Sequence, residues 1–92
     1  MTKKVAFITG AGGYIGSETA YVLAMSGVRV ALCDINEETV QATVKRVTDA
    51  GGTAKAYIAD VSDSKSIENA INKAAEDFGR LDIMVHVAGG SA

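Results

Sequence analysis

From Val5 to Thr9 the chain reads Val-Ala-Phe-Ile-Thr with no polar alternation, the pattern of a strand buried on both faces of a parallel sheet. A helix is predicted from about Tyr14 to Met25, rich in alanine and stopped by Gly27, a residue that suits a left-handed C-terminal cap. Arg29 to Asp34 is a second apolar run. Asn36 then makes an N-cap, with Glu37 and Glu38 in a first turn where negative charge suits the helix dipole. Val40, Val44 and Val47 recur at helical spacing until Gly51-Gly52. Ala54 to Ala59 is a weaker third strand, and Ser62-Asp63-Ser64 offers several caps. Ile67, Ile71, Ala74, Ala75 and Phe78 fall on one face of a third helix ended by Gly79, and Leu81 to Val87 is a fourth strand.

The order is therefore β-α-β-α-β-α-β. Strands that alternate with helices imply parallel pairing through right-handed crossovers. The expected fold class is α/β, a partial Rossmann-type doubly wound parallel sheet with strand order 3-2-1-4. The first two helices should cover one face and the third the other. One face would then carry a single helix, with apolar strand surface left uncovered.

Composition narrows the picture without redirecting it. Ninety-two residues suit one small domain, and no proline, linker or low-complexity segment divides it. With 48% hydrophobic and 22% charged residues the chain can build a core. A net charge of −2 and scattered Lys and Arg argue against a nucleic-acid surface. The apolar stretch after Met1-Thr2-Lys3-Lys4 is too short for a signal peptide or a membrane span, so a cytoplasmic protein is expected. Cys33 is the only cysteine, which excludes an internal disulfide and leaves a buried small hydrophobe as the plain reading. Asp60 and Asp63 lack a third carboxylate at metal-binding spacing.

The candidate chemistry begins at Thr9-Gly10-Ala11-Gly12-Gly13-Tyr14-Ile15-Gly16-Ser17, between the first strand and the first helix. Such a loop points several backbone N–H groups at one place, and the helix N-terminus adds about half a positive charge there. A pyrophosphate can sit in that place without a lysine. Gly10 would make the tight turn, Gly13 would admit the phosphate to the backbone, and Gly16 would let the helix pack closely on the first strand. Asp34 follows Gly16 by eighteen positions, at the end of the second strand. A carboxylate there accepts both ribose hydroxyls and repels a 2′-phosphate. Ile35 and Asn36 come next, with no Arg or Lys, so NAD is expected over NADP.

These residues resemble the short-chain dehydrogenase/reductase family along the whole chain. Thr9 to Gly16 is similar to that family's dinucleotide loop, which brings Tyr14 and Ile15 into the expected site. Ala59-Asp60-Val61 is similar to its adenine-side motif, and the resemblance implies that the Asp60 carboxylate meets the adenine amine. His86-Val87-Ala88-Gly89 stands where the family has Asn-Asn-Ala-Gly, implying Ala88 and Gly89 along the ribose. The expected cofactor contacts are thus Gly10, Gly13, Tyr14, Ile15, Gly16, Asp34, Ile35, Asp60, Val61, Ala88 and Gly89. The glycine spacing with Tyr14-Ile15-Gly16 resembles the family's extended branch of nucleotide-sugar epimerases and dehydratases. Asp60-Val61 and Ala88-Gly89-Gly90 resemble its single-domain branch, the one favoured here. His86, the only histidine, invites a catalytic or pH-sensing reading. The plainer expectation is a strand-end ring bonded to backbone, doing the structural work of the Asn it replaces.

The family's chemistry needs a Ser and a Tyr-x-x-x-Lys, the Tyr handling the proton on the substrate oxygen while nicotinamide moves the hydride. No tyrosine here has Lys four positions on: Tyr14 is followed by Glu18, Tyr21 by Met25 and Tyr57 by Val61. The expectation is the dinucleotide-binding half-domain, residues 1–92, of a longer oxidoreductase acting on an alcohol or carbonyl substrate, with no catalytic residue in this segment. The alternatives are a non-catalytic NAD-binding or regulatory module, or the N-terminal part of an extended-branch nucleotide-sugar epimerase or dehydratase. The uncovered sheet face predicts self-association if these residues form the whole product.

Overall fold

The computed structural model describes residues 3–87. Its elements are β1 (Val5–Thr9), α1 (Tyr14–Met25), β2 (Arg29–Asp34), α2 (Glu37–Asp49), β3 (Ala54–Ile58), α3 (Ser64–Phe78) and β4 (Ile83–His86). The four strands form one sheet in the order β3-β2-β1-β4, with every pairing parallel. Two strands are shorter than the apolar runs predict. β3 stops at Ile58, although the Ala59 N–H still bonds the Asp34 carbonyl at 3.1 Å. β4 starts at Ile83 because Asp82 meets Val5 first, its carboxylate accepting the Val5 N–H at 2.8 Å and its own N–H bonding the Val5 carbonyl at 2.9 Å.

The central strands β1 and β2 are covered on both faces, as unbroken apolar runs require. Ala6, Ile8, Val30 and Leu32 pack under α1 and α2 through Ala20, Ala24, Val40 and Val47. Phe7, Ala31 and Cys33 point to the opposite face, where α3 meets them with Ala70 and Ala74. Alternate residues of one strand therefore feed two cores, and both need small helix residues for close approach. Ala70 takes a core place between Ile67 and Ala74 that the apolar spacing did not single out. The division of helices, two on one face and one on the other, follows the expected winding. Beyond α3 the sheet is thinly covered: Met84 on β4 is 58% exposed.

Local signals fix the helix ends. Asn36 caps α2 by accepting the Thr39 N–H at 3.1 Å, and Asp63 caps α3 by accepting from Lys65 and Ser66. Gly79 closes α3 in the left-handed conformation, with φ of 82°.

Candidate functional site

The parallel register brings the C-terminal ends of all four strands to one edge. Thr9 pairs with Cys33 on one side and His86 on the other, and Asp34 pairs with Ile58. At that edge chain order reverses, with β2 and then β3 to one side of β1 and β4 to the other, which is where doubly wound sheets open a crevice. A cleft of about 420 Å³ lies there, lined by Gly10, Gly13, Tyr14, Ile15, Gly16, Asp34, Ile35, Asp60 and Val61 together with Ala59 and Val87. Nine residues singled out from the sequence thus share one cavity. Ala88 and Gly89 lie outside the described residues. Ala59 and Val87 join the wall because each stands beside a singled-out residue at a strand end.

The loop is tied down by identifiable contacts. Gly10 turns with φ of 66°, and its carbonyl accepts the Gly13 N–H at 3.2 Å. Ala11 is tied on both sides, its N–H to the Cys33 carbonyl at 3.0 Å and its carbonyl to the buried Thr43 hydroxyl at 2.9 Å. A Cβ on Gly16 would overlap the Gly10 carbonyl, so this glycine lets α1 close on the loop itself rather than on β1. A Cβ on Gly13 would meet only the Gly10 carbonyl, at 3.5 Å, so among the described residues nothing else crowds the space over it.

Gly12 and Thr43 are the parts the sequence reading missed. A Cβ on Gly12 would strike the Thr39 hydroxyl and come within 2.9 Å of the Asp34 carboxylate. Its bare backbone instead donates its N–H to Asp34 Oδ2 at 2.8 Å. Only the fold brings residues 12, 34 and 39 together. Thr43 had a weak signal, a polar residue inside the Val40–Val47 stripe.

Two carboxylates face the cleft in different states of engagement. Asp34 accepts from the Gly12 N–H on Oδ2 and the Asn36 N–H, at 3.2 Å, on Oδ1. A carboxylate offers about four acceptor positions, so each oxygen keeps one for a hydroxyl. Asp60 turns Oδ1 to Ser62, accepting its hydroxyl at 2.7 Å and its N–H at 2.9 Å. Those two bonds, the hydroxyl first, hold the Asp60 carboxyl below the usual carboxylate range, so it stays an anion.

At the floor, α1 begins without a cap. Gly13 supplies no side chain, and no acidic residue stands in the first turn. The first N–H groups of a helix have no partner within it, so among the described residues this end presents unmet donors and a positive dipole end to the cavity. Such an end suits an anion, and the open space over Gly13 gives it room. The donors, the room and the half-engaged Asp34 fit a dinucleotide's pyrophosphate and ribose diol.

His86 differs from expectation in its partner. Its Nδ1 lies 3.0 Å from the Thr9 side-chain Oγ1, whereas backbone was expected to hold the ring. Cys33 is fully buried, and burial first, with the Asp34 charge second, pushes its thiol up to about 11. A thiol so held is inert at neutral pH. Tyr57 donates its hydroxyl to Asp77 at 2.8 Å on the edge away from the cleft, and burial and that bond raise its ionisation above the ordinary phenol value. It is structural. Among the described residues no group of three potential ligands is placed to hold a metal ion, and no helix is long and apolar enough to cross a membrane.

Comparison with known proteins gives a consistent outcome. The short chain dehydrogenase family profile matches residues 4–92. The chain is 40% identical over 87 residues to the short-chain reductase protein NovJ of Streptomyces niveus, a match covering 95% of this chain and 33% of that protein. Among solved structures, a hydroxysteroid dehydrogenase from Escherichia coli superimposes with a TM-score of 0.91 at 36% identity, covering 95% of this chain and 37% of that one. An NAD+-bound xylitol dehydrogenase superimposes with a TM-score of 0.85, also at 36% identity, covering 88% of this chain and 31% of that one. The chain spans about a third of the length of the relatives it matches.

Proposed function

The chain belongs to the short-chain dehydrogenase family, and from that premise we propose that it grips NAD(H) at the cleft, as the cofactor-binding part of an alcohol- or carbonyl-directed oxidoreductase. One observation carries the reading: the uncapped, acid-free start of α1 faces the same cleft as a carboxylate with acceptor positions to spare. In this reading the N–H groups at the start of α1 hold the pyrophosphate, with Gly10 shaping the turn and Gly13 leaving room. Asp34 accepts the adenosine ribose hydroxyls, held in place by Gly12 and Asn36. Ile35 and Val61, both exposed on the rim, offer apolar contact to adenine, and Asp60 meets its amine. Tyr14 and Ile15 flank the start of α1, and the family resemblance assigns Ala88 and Gly89 to the ribose.

Bound nicotinamide would supply or accept the hydride. No residue placed at this cleft is assigned to proton transfer on the substrate oxygen, and we assign that role to sequence beyond these 92 residues, in a longer reductase of the single-domain branch. NAD is favoured over NADP because a 2′-phosphate would meet the Asp34 charge with no cation beside it. A cytoplasmic setting suits the lone, buried thiol. Self-association through the thinly covered sheet face, should these residues form the whole product, is supported by Met84, 58% exposed on β4.

Titration with NADH and NADPH, followed by nicotinamide fluorescence, tests the cofactor reading. NADH should bind and NADPH should bind more weakly; a preference for NADPH would refute the role given to Asp34. Sedimentation velocity tests self-association, and a single monomeric species that takes up no hydrophobic dye would refute it.

A further inference from the structure

The Ala11 carbonyl and the Gly12 N–H belong to one peptide group, and different elements hold its two ends. On one side the Thr43 hydroxyl, from within α2, donates to the Ala11 carbonyl at 2.9 Å. On the other the Gly12 N–H donates to Asp34 Oδ2 at 2.8 Å. A trans peptide points its carbonyl and its N–H in opposite directions, so whatever fixes one end aims the other. The plane is clamped between a neutral hydroxyl and the carboxylate of the cleft.

The carbonyl end depends on Thr43. Thr43 and Ala11 are both buried, and among the described residues the Ala11 carbonyl has no other hydrogen-bond partner. The Thr43 hydroxyl also lies 3.3 Å from the Thr39 carbonyl, the back-bond common to helical threonines. That oxygen is already served by the helix ladder, so the proton is needed at Ala11. Without it the buried carbonyl would have to tilt towards solvent to find a partner, because an unpaired buried acceptor is costly. Gly12 offers little resistance to such a tilt, having no Cβ to restrict its φ. The N–H would then leave Asp34 Oδ2, and only the Asn36 N–H on Oδ1 would still hold that side chain.

We propose that Thr43 is a positioning residue for cofactor selection: acting through the Ala11–Gly12 peptide, it keeps the Asp34 carboxylate in the posture that accepts a ribose diol and opposes a 2′-phosphate. The inference rests on the dinucleotide reading of the cleft. Asp34 lines the cleft and Thr43 does not, so Thr43 acts without touching the cofactor. A bond taken at the carbonyl end also polarises the peptide and makes its N–H a better donor to the carboxylate.

NADH and NADPH titrations of wild type, Thr43→Val and Thr43→Ser test the proposal, at a temperature where circular dichroism shows each variant folded. Thr43→Val should weaken NADH binding about three- to tenfold, the worth of one hydrogen bond, and NADPH binding less, so the preference narrows. Thr43→Ser, which keeps the hydroxyl, should restore both. In an Asp34→Ala background no carboxylate is left to aim, and Thr43→Val should cost NADH no more than about twofold. In the free protein the Gly12 amide proton should move upfield in Thr43→Val, as its bond to Asp34 loosens, and return in Thr43→Ser. A threonine that serves packing alone would lower the melting temperature and leave the Gly12 amide, NADH affinity and nucleotide preference of the folded variant unchanged. That result would overturn this proposal alone. Absence of NADH binding by wild type would overturn the dinucleotide reading and this proposal with it.

Discussion

The three helices begin in two different ways. α2 and α3 start conventionally, with Asn36 and Asp63 turning side-chain oxygens onto first-turn N–H groups, and α2 adds Glu37 and Glu38 against its dipole. α1 starts on Gly13, with no side-chain cap and no acidic residue in its first turn. A glycine N-cap is only about 0.3 kcal/mol worse than Asn or Asp, so the start of α1 gives up a little stability that its neighbours keep. The loss is confined to the helix whose start opens on the cleft. The difference separates helix starts that serve the fold from one left available to a ligand.

Substitutions can break that contrast, and the largest effect should come from Gly16→Val. Its side chain would overlap the Gly10 carbonyl, so the loop and α1 cannot both keep their places. Thermal unfolding should show a loss of about 1–3 kcal/mol, and NADH binding should be abolished. Gly13→Asp sharpens the contrast by giving α1 the cap it lacks. There is room for the side chain, so stability should hold or rise by about 0.3 kcal/mol while NADH binding weakens by about 1–4 kcal/mol through charge repulsion. Unchanged NADH affinity in this variant would mean that the anion does not sit there.

Asp34→Ala should weaken NADH binding by about 1–3 kcal/mol and narrow the margin over NADPH, read by parallel titrations. Asp63→Ala is the counterpart at a structural cap: stability should fall by about 1 kcal/mol with NADH affinity untouched. The smallest effect concerns acid. Arg80 first, and the Val5 N–H after it, hold the Asp82 carboxyl below the usual range. A depressed carboxyl contributes stability above its unfolded value of about 3.9 and loses it as pH falls through the folded value. Asp82→Asn should therefore flatten the acid limb of a stability–pH curve below about pH 4 and cost stability at neutral pH.

Most of the architecture was legible along the chain because period and punctuation carry it. The unbroken apolar runs at β1 and β2 announce strands covered on both faces, and Asn36, Asp63 and Gly79 mark helix limits that the structure keeps. The weaker runs were overread at their ends: Ala59 lies past the end of β3, and Leu81-Asp82 precedes β4. There a side-chain contact, Asp82 on Val5, replaces strand pairing, and no local pattern reports it. At the cleft, residues with their own signature were legible, namely the spaced glycines and the acids at strand ends. Residues defined by whom they touch were not. Gly12 matters through Thr39 and Asp34, Thr43 through Ala11, and His86 through Thr9.

The sequence by itself determined the element order, the parallel winding and the chemical types gathered at the strand ends. Each of these follows from hydrophobic period, caps and turn residues, which act over a few neighbours. Tertiary structure decided what those groups do to one another. It set the half-engaged state of Asp34, the tether on Ala11 and the bond between the His86 ring and Thr9, because each needs atoms 22 to 77 positions apart to meet at hydrogen-bond distance.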